Sequence, residues 1–174
     1  PLAERGAVTL ELIPVRAPDG ATSQARLFKA QAPGAPGLLL LPAMGVNARA
    51  YERFAQGLAE AGVTTLIVEL RGGDSSSVRA RRGVDFGYAD LLADMALHLE
   101  VLRQQASGAL HVLGHSLGGQ LAIVGLSGWF VPGGRLIIIA SGTVHHRAWR
   151  GLHGLGLLVG SQLVKGVALG LGYY

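Results

Sequence analysis

Apolar and polar residues alternate along VTLELIPV (8–15) and again along SQARLFKA (23–30), with a Pro18-Asp19-Gly20 turn between them. A period of two sends successive side chains to opposite faces, so the pair predicts an antiparallel β-hairpin. Pro33, Gly34, Pro36 and Gly37 then punctuate the chain before LLLL (38–41), a continuous apolar run of the kind buried on both faces of a sheet. The period next becomes helical, with Ala50, Phe54, Leu58 and Ala61 on one face and Gly62 as the stop. TTLIVEL (64–70) reads as a second buried strand, followed by the loop RGGDSSSVRARRGVDFG. From Tyr88 to about Gln105, Leu91, Leu92, Met95, Leu99 and Leu102 recur at helical spacing. ALHVLG (109–114) is strand-like, GGQLAIVGL helical and RLIIIA (135–140) strand-like again.

Two strands ahead of a β-α-β-α-β-α-β series imply an α/β fold: a mostly parallel sheet with helices on both faces and an N-terminal hairpin. No internal repeat or linker divides it. The tail from Ala148 to Tyr174 is rich in glycine, apolar and almost uncharged. Leu152, Leu155, Val159, Leu163 and Val167 make one helical stripe there, although glycine disfavours a helix interior by about 1 kcal/mol against alanine. His153, Gln162 and Lys165 interrupt the run and argue against a membrane span, while an exposed apolar tail would favour self-association. GLGLLVG imitates a dinucleotide fingerprint but follows no strand and opens no βαβ unit, so no such cofactor is expected.

At 174 residues the chain suits one domain with a real core. With no cysteine it has neither disulfides nor a thiolate site, and the spacings of His98, His111 and His115 and the adjacent pair His145 and His146 match no common metal motif. We therefore expect neither metal nor cofactor. The net charge of +4 comes almost wholly from arginine, with Lys29 and Lys165 the only lysines. Arg79, Arg81 and Arg82 form a basic knot in a loop without the aromatic platforms or basic helix of a nucleic-acid site, so a solvated loop is expected. The first residues, PLAERGAVTL, lack the basic start and apolar core of a signal peptide, which predicts a cytoplasmic protein.

The chemistry lies in Gly114-His115-Ser116-Leu117-Gly118, a G-x-S-x-G sequence at the end of one strand and the start of a helix. In that setting a tight turn forces the serine into a strained backbone conformation, and side chains two residues either side would collide. Ser116 is the candidate nucleophile, with Gly114, His115 and Gly118 forming the elbow. One oxyanion donor is expected from the Leu117 N–H and a second from Pro42-Ala43-Met44-Gly45, with Met44 N–H preferred and Ala43 the alternative.

From about Val8 onward the chain resembles the α/β-hydrolase superfamily. Glu69-Leu70-Arg71-Gly72 is similar to the D-x-R-G-x-G-x-S stretch of many members, with Glu69 where Asp is common and Asp74 where Gly is common. LPAMGVNARAY lacks the familiar His-Gly pair and, with GHSLGGQ, IASGT and LGYY, resembles a bacterial branch near the serine aminopeptidase and lysophospholipase-like groups. The resemblance implies residues 1–144 as a partial hydrolase core and 145–174 as the start of a cap. It also implies a triad of Ser, then Asp or Glu, then His. None of residues 101–174 is Asp or Glu, which is odd for a complete soluble domain and leaves no carboxylate after Ser116. His145, His146 and His153 fall where a cap begins and are expected to be cap or pocket residues rather than the base. The expectation is therefore a serine hydrolase of an ester, thioester or small amide, truncated at its C-terminus, with this chain alone nearly inactive. An acyltransferase with the same elbow, or a non-catalytic binding module on this fold, are the alternatives.

Overall fold

A computed structural model describes residues 7–128, 133–142 and 145–171. The leading hairpin is present, with β1 (Leu10–Arg16) antiparallel to β2 (Thr22–Phe28) in a register that sets Leu10 opposite Phe28 and Arg16 opposite Thr22. Four further strands follow: β3 (Gly37–Leu41), β4 (Thr64–Ile67), β5 (Leu110–His115) and β6 (Leu136–Ile139). They form one sheet in the order β1-β2-β4-β3-β5-β6, in which β4, β3, β5 and β6 run parallel. The helices are α1 (Glu52–Glu60), α2 (Tyr88–Gln105), α3 (Leu117–Gly128) and α4 (Leu152–Leu171), with short 3-10 turns at Ala48–Tyr51 and His146–Ala148.

The apolar run of β3 serves both faces. Leu38 and Leu40 join Phe28, Ile67 and Leu113 under α1, whereas Leu39 and Leu41 join Leu27, Leu66, Val68 and Val112 under α2 and α3. All five β3 residues are buried. A large aliphatic side chain removed from water contributes about 1.5–3 kcal/mol, so this strand is the backbone of the core.

One expectation is corrected. The face of α1 turned to the sheet is Ala55 and Ala59, with Ala48, Tyr51 and Leu58 beside them, while Ala50, Phe54 and Ala61 are exposed. Small alanines let α1 lie close on the sheet, so the seat is set by Ala55 and Ala59 and not by the bulkier Phe54, one position earlier on the same helix; Ala50 falls in the preceding 3-10 turn. Arg79 is exposed in its loop, where it donates to the carbonyls of Gly72, Gly73 and Asp74 and ties that loop together.

β6 pairs with β5 on one side, and its four residues are 39–46% exposed, so this apolar strand is not buried among the described residues. The tail is helical as expected. At about 1.5 Å rise per residue α4 spans about 30 Å, and by length and composition it is apolar enough to cross a membrane. Of its residues Gly154 is buried, and Leu152, Leu163, Val164 and Val167 are among those exposed. Thr143 of IASGT and residues 172–174 of LGYY lie outside the described residues.

Candidate active site

The turn from β5 into α3 is tight because three glycines allow it. A Cβ on Gly114 would fall within 3.0 Å of the backbone of Gly118 and Gly119. One on Gly118 would fall as close to the carbonyls of Leu41 and Pro42, and one on Gly119 would meet the Ser141 side chain. Ser116 sits between them at φ +53°, in the left-handed region that costs an L-residue roughly 1–2 kcal/mol. Its own N–H donates to the Ile139 carbonyl at 2.9 Å, and its carbonyl accepts from Gly119 and Gln120 at 3.0 and 3.2 Å. The strain is thus held by β6 on one side and by the first turn of α3 on the other.

Gly118 does more than relieve crowding within the elbow. Because it has no side chain, the start of α3 lies against the last residues of β3, which brings Leu117 and Met44 to the same carboxyl edge of the sheet. The first N–H groups of a helix have no partner within it, and Leu117 opens α3. Ala43 is buried and its N–H donates to the Tyr51 hydroxyl at 3.0 Å. The Met44 side chain is 76% exposed, so it is not the core methionine that an apolar residue beside a buried strand suggests.

His115 faces away along a different path, with Nδ1 2.8 Å from the Tyr51 hydroxyl and its ring edge-on to the phenol. Gln120 reaches both ways at the mouth of the elbow. Its Oε1 accepts from the Tyr88 hydroxyl at 2.7 Å and its Nε2 donates to the Gly142 carbonyl at 3.0 Å. Tyr51 closes LPAMGVNARAY and Gln120 closes GHSLGGQ, but nothing in either stretch signals these hydrogen bonds. His145 accepts the Arg147 N–H at 3.3 Å in its own turn, and His153 is exposed in the first turn of α4; the side chain of His146 lies outside the described residues.

The loop leaving β4 is built differently from the aspartate pattern it resembles. Glu69 is buried and accepts from Ser75 Oγ at 3.0 Å, and Gly73 leaves room for its carboxylate. Arg71 grips Asp94 of α2 with Nε and Nη2 at 2.7 and 2.9 Å and Asp19 of the hairpin turn with Nη1 at 2.6 Å. Hydrogen bonding to Asp94 raises the Arg71 pKa further, and the guanidinium holds the Asp19 carboxyl below the usual range. Behind this pair His98 is 1% exposed; burial lowers its pKa, while the Asp94 carbonyl accepting from Nδ1 at 2.7 Å pulls the other way. A cavity of about 10 Å³, room for one water, lies between Glu69, Arg71, Asp94 and His98 and is lined by none of the elbow residues.

This arrangement has known counterparts. A family profile described as serine aminopeptidase, S33, matches residues 36–143. None of the curated proteins matches the chain. Among solved structures, an esterase from Exiguobacterium antarcticum superposes with a TM-score of 0.63 at 21% identity, covering 76% of this chain and 46% of that one. An α/β hydrolase from Novosphingobium aromaticivorans DSM 12444 gives 0.59 at 26%, covering 75% and 45%. The thioesterase domain from the curacin biosynthetic pathway gives 0.59 at 21%, covering 75% and 46%. The chain thus spans less than half the length of these three structures. A profile match over more than half of its residues, on the fold those structures share, means that the chain belongs to the serine aminopeptidase S33 family of α/β hydrolases.

Proposed function

We propose that this chain carries the nucleophile of a serine hydrolase that cleaves an ester, thioester or small amide through an acyl-enzyme on Ser116. The observation behind this reading is the left-handed Ser116 between β5 and α3, held there by a turn that tolerates glycine alone at 114 and 118. A strained residue at the carboxyl edge of a parallel sheet is costly to keep and is characteristic of a reacting group.

In the proposed reaction Ser116 Oγ attacks the substrate carbonyl carbon, its proton passes to a base, and the carbonyl oxygen becomes an oxyanion. Leu117 N–H and Met44 N–H are the donors to that oxygen. The engagement of Ala43 N–H by Tyr51 favours Met44 over Ala43 for this role. Collapse of the tetrahedral intermediate expels the alcohol, thiol or amine, and water then releases the acid.

The base and its carboxylate are not assigned to residues of this chain, since residues 101–174 contain no Asp or Glu and Asp94 and Glu69 are committed elsewhere. We therefore propose that the chain by itself turns over an activated ester slowly, at the residual rate that oxyanion donors and binding alone supply. Active-site labelling tests the reading. In the full-length gene product a fluorophosphonate should form one adduct, mapped to Ser116 by peptide mass spectrometry and absent in Ser116→Ala. A full-length product that stays unlabelled would instead favour a binding module on the same fold.

A further inference from the structure

The Tyr51 hydroxyl joins two segments that are far apart in sequence. It accepts the Ala43 N–H at 3.0 Å and lies 2.8 Å from His115 Nδ1. Ala43 directly precedes Met44, and His115 directly precedes Ser116, two residues before Leu117. One oxygen therefore touches the residue before one proposed oxyanion donor and the residue before the proposed nucleophile. We propose that Tyr51 is a positioning residue: its hydroxyl sets the distance between the Met44 and Leu117 N–H groups and withholds Ala43 N–H from the substrate. This inference rests on the nucleophile assignment of Ser116.

A phenol oxygen accepts as well as donates, so it holds Ala43 N–H and pairs with His115 Nδ1 in either tautomer of the ring. His115 Nδ1 is engaged by Tyr51 in both cases, so His115 acts through Tyr51 on the turn after β3.

The ring is placed independently of the hydroxyl. Ala48, Ala55 and Ala59 seat the 3-10 turn and α1 on Phe28, Leu40, Ile67 and Leu113, and the phenol packs against the same cluster. Tyr51→Phe should therefore fold and keep the ring while losing both hydrogen bonds. Without them, the buried Ala43 N–H is left unpaired, and the turn has reason to rotate so that Ala43 rather than Met44 faces the elbow.

The test is a cycle of Tyr51→Phe, His115→Ala and the double variant in the full-length gene product. It reads the second-order rate of fluorophosphonate labelling at Ser116 beside hydrogen exchange at the Ala43 amide. A misplaced oxyanion donor should cost about 10- to 100-fold in labelling rate. The expected result is that loss in each single variant, little further loss in the double, and faster Ala43 exchange in all three. Leu58→Ala, which loosens the same helix without touching the bridge, should label at the wild-type rate, as a general loss of stability would not allow. Labelling of Tyr51→Phe at the wild-type rate, or additive losses in the double variant, would overturn the proposal. If the wild type itself fails to label, the nucleophile reading falls, and unchanged Ala43 exchange in Tyr51→Phe would separately remove the bridge.

Discussion

Adding one methyl group at Gly118 should separate the two halves of the proposed active site. A Cβ built there meets the Leu41 carbonyl and the Pro42 oxygen inside 3.0 Å, against 3.4–4 Å for ordinary contact. All three nearest atoms belong to the backbone of the β3 exit, so no side chain can swing aside. The start of α3 must move off β3 by roughly 0.5–1 Å, and overpacking of this kind costs about 1–3 kcal/mol. Alanine's better helix propensity returns up to about 1 kcal/mol, and with all of it returned the net loss is up to about 2 kcal/mol. For a chain of this size that is a drop in Tm of up to roughly 8 °C. The chemical effect should be larger, because a displacement near 1 Å can cost about 100-fold in rate. Thermal melting and the labelling rate at Ser116 measure the two effects on one sample. Gly57→Ala is the control, since a Cβ on that α1 glycine meets nothing within 4 Å, and it should stabilise. A Gly118→Ala chain that melts and labels like wild type would refute the reasoning, because the close approach of α3 to β3 would then have no energetic content.

Ser116→Gly should melt above Ser116→Ala by about 1 kcal/mol of stability, since glycine alone adopts φ +53° without strain; equal melting would mean that the elbow stores none. Asp94→Ala removes two hydrogen bonds from an Arg71 side chain that is only 6% exposed, and should cost about 3–5 kcal/mol in denaturant unfolding. Asp19→Ala, at the exposed end of the same guanidinium, should cost far less, and equal losses would contradict the burial argument. His98 is held neutral by burial, so below about pH 6.5 the unfolded chain binds a proton that the folded chain refuses. Glu69 and Arg71 from the β4 exit and Asp94 from its own helix face the same cavity. Its contribution is fully present above that pH and is lost as pH falls, by at most about 1.4 kcal/mol per pH unit. His98→Gln should flatten the stability profile between about pH 6.5 and 5, and an unchanged slope would assign the acid sensitivity to another group.

Much of the fold is legible in local pattern. The hairpin announces itself by alternation around Pro18-Asp19-Gly20, α2 runs from Tyr88 to Gln105 as its leucines and methionine predict, and G-x-S-x-G falls at a strand-to-helix junction. These features depend on periods of two and 3.6 residues or on the steric needs of one turn, and all of that information lies within a few positions. The buried face of α1 was not legible in the same way, because its seat on the sheet is made by the small Ala55 and Ala59, whose weak apolar signal is masked by the larger but exposed Phe54 beside them. Nor could the run LIII reveal that β6 stays exposed, since burial depends on what packs against a strand and not on its own composition.

The candidate site divides along the same line. Ser116, its glycines and the Leu117 N–H belong to one continuous turn and are specified by local sequence. The contact of Gly118 with the β3 exit joins residues more than seventy positions apart, and the Tyr51 bridge from Ala43 to His115 spans as many. So does the triangle of Asp19, Arg71 and Asp94. No periodicity encodes such pairings, because each partner satisfies its own local pattern whether or not the other is present. Only the strand order β4-β3-β5 places these residues within hydrogen-bonding reach. Sequence alone determined which residue can be the nucleophile, and the tertiary structure decided which distant groups hold its surroundings in place.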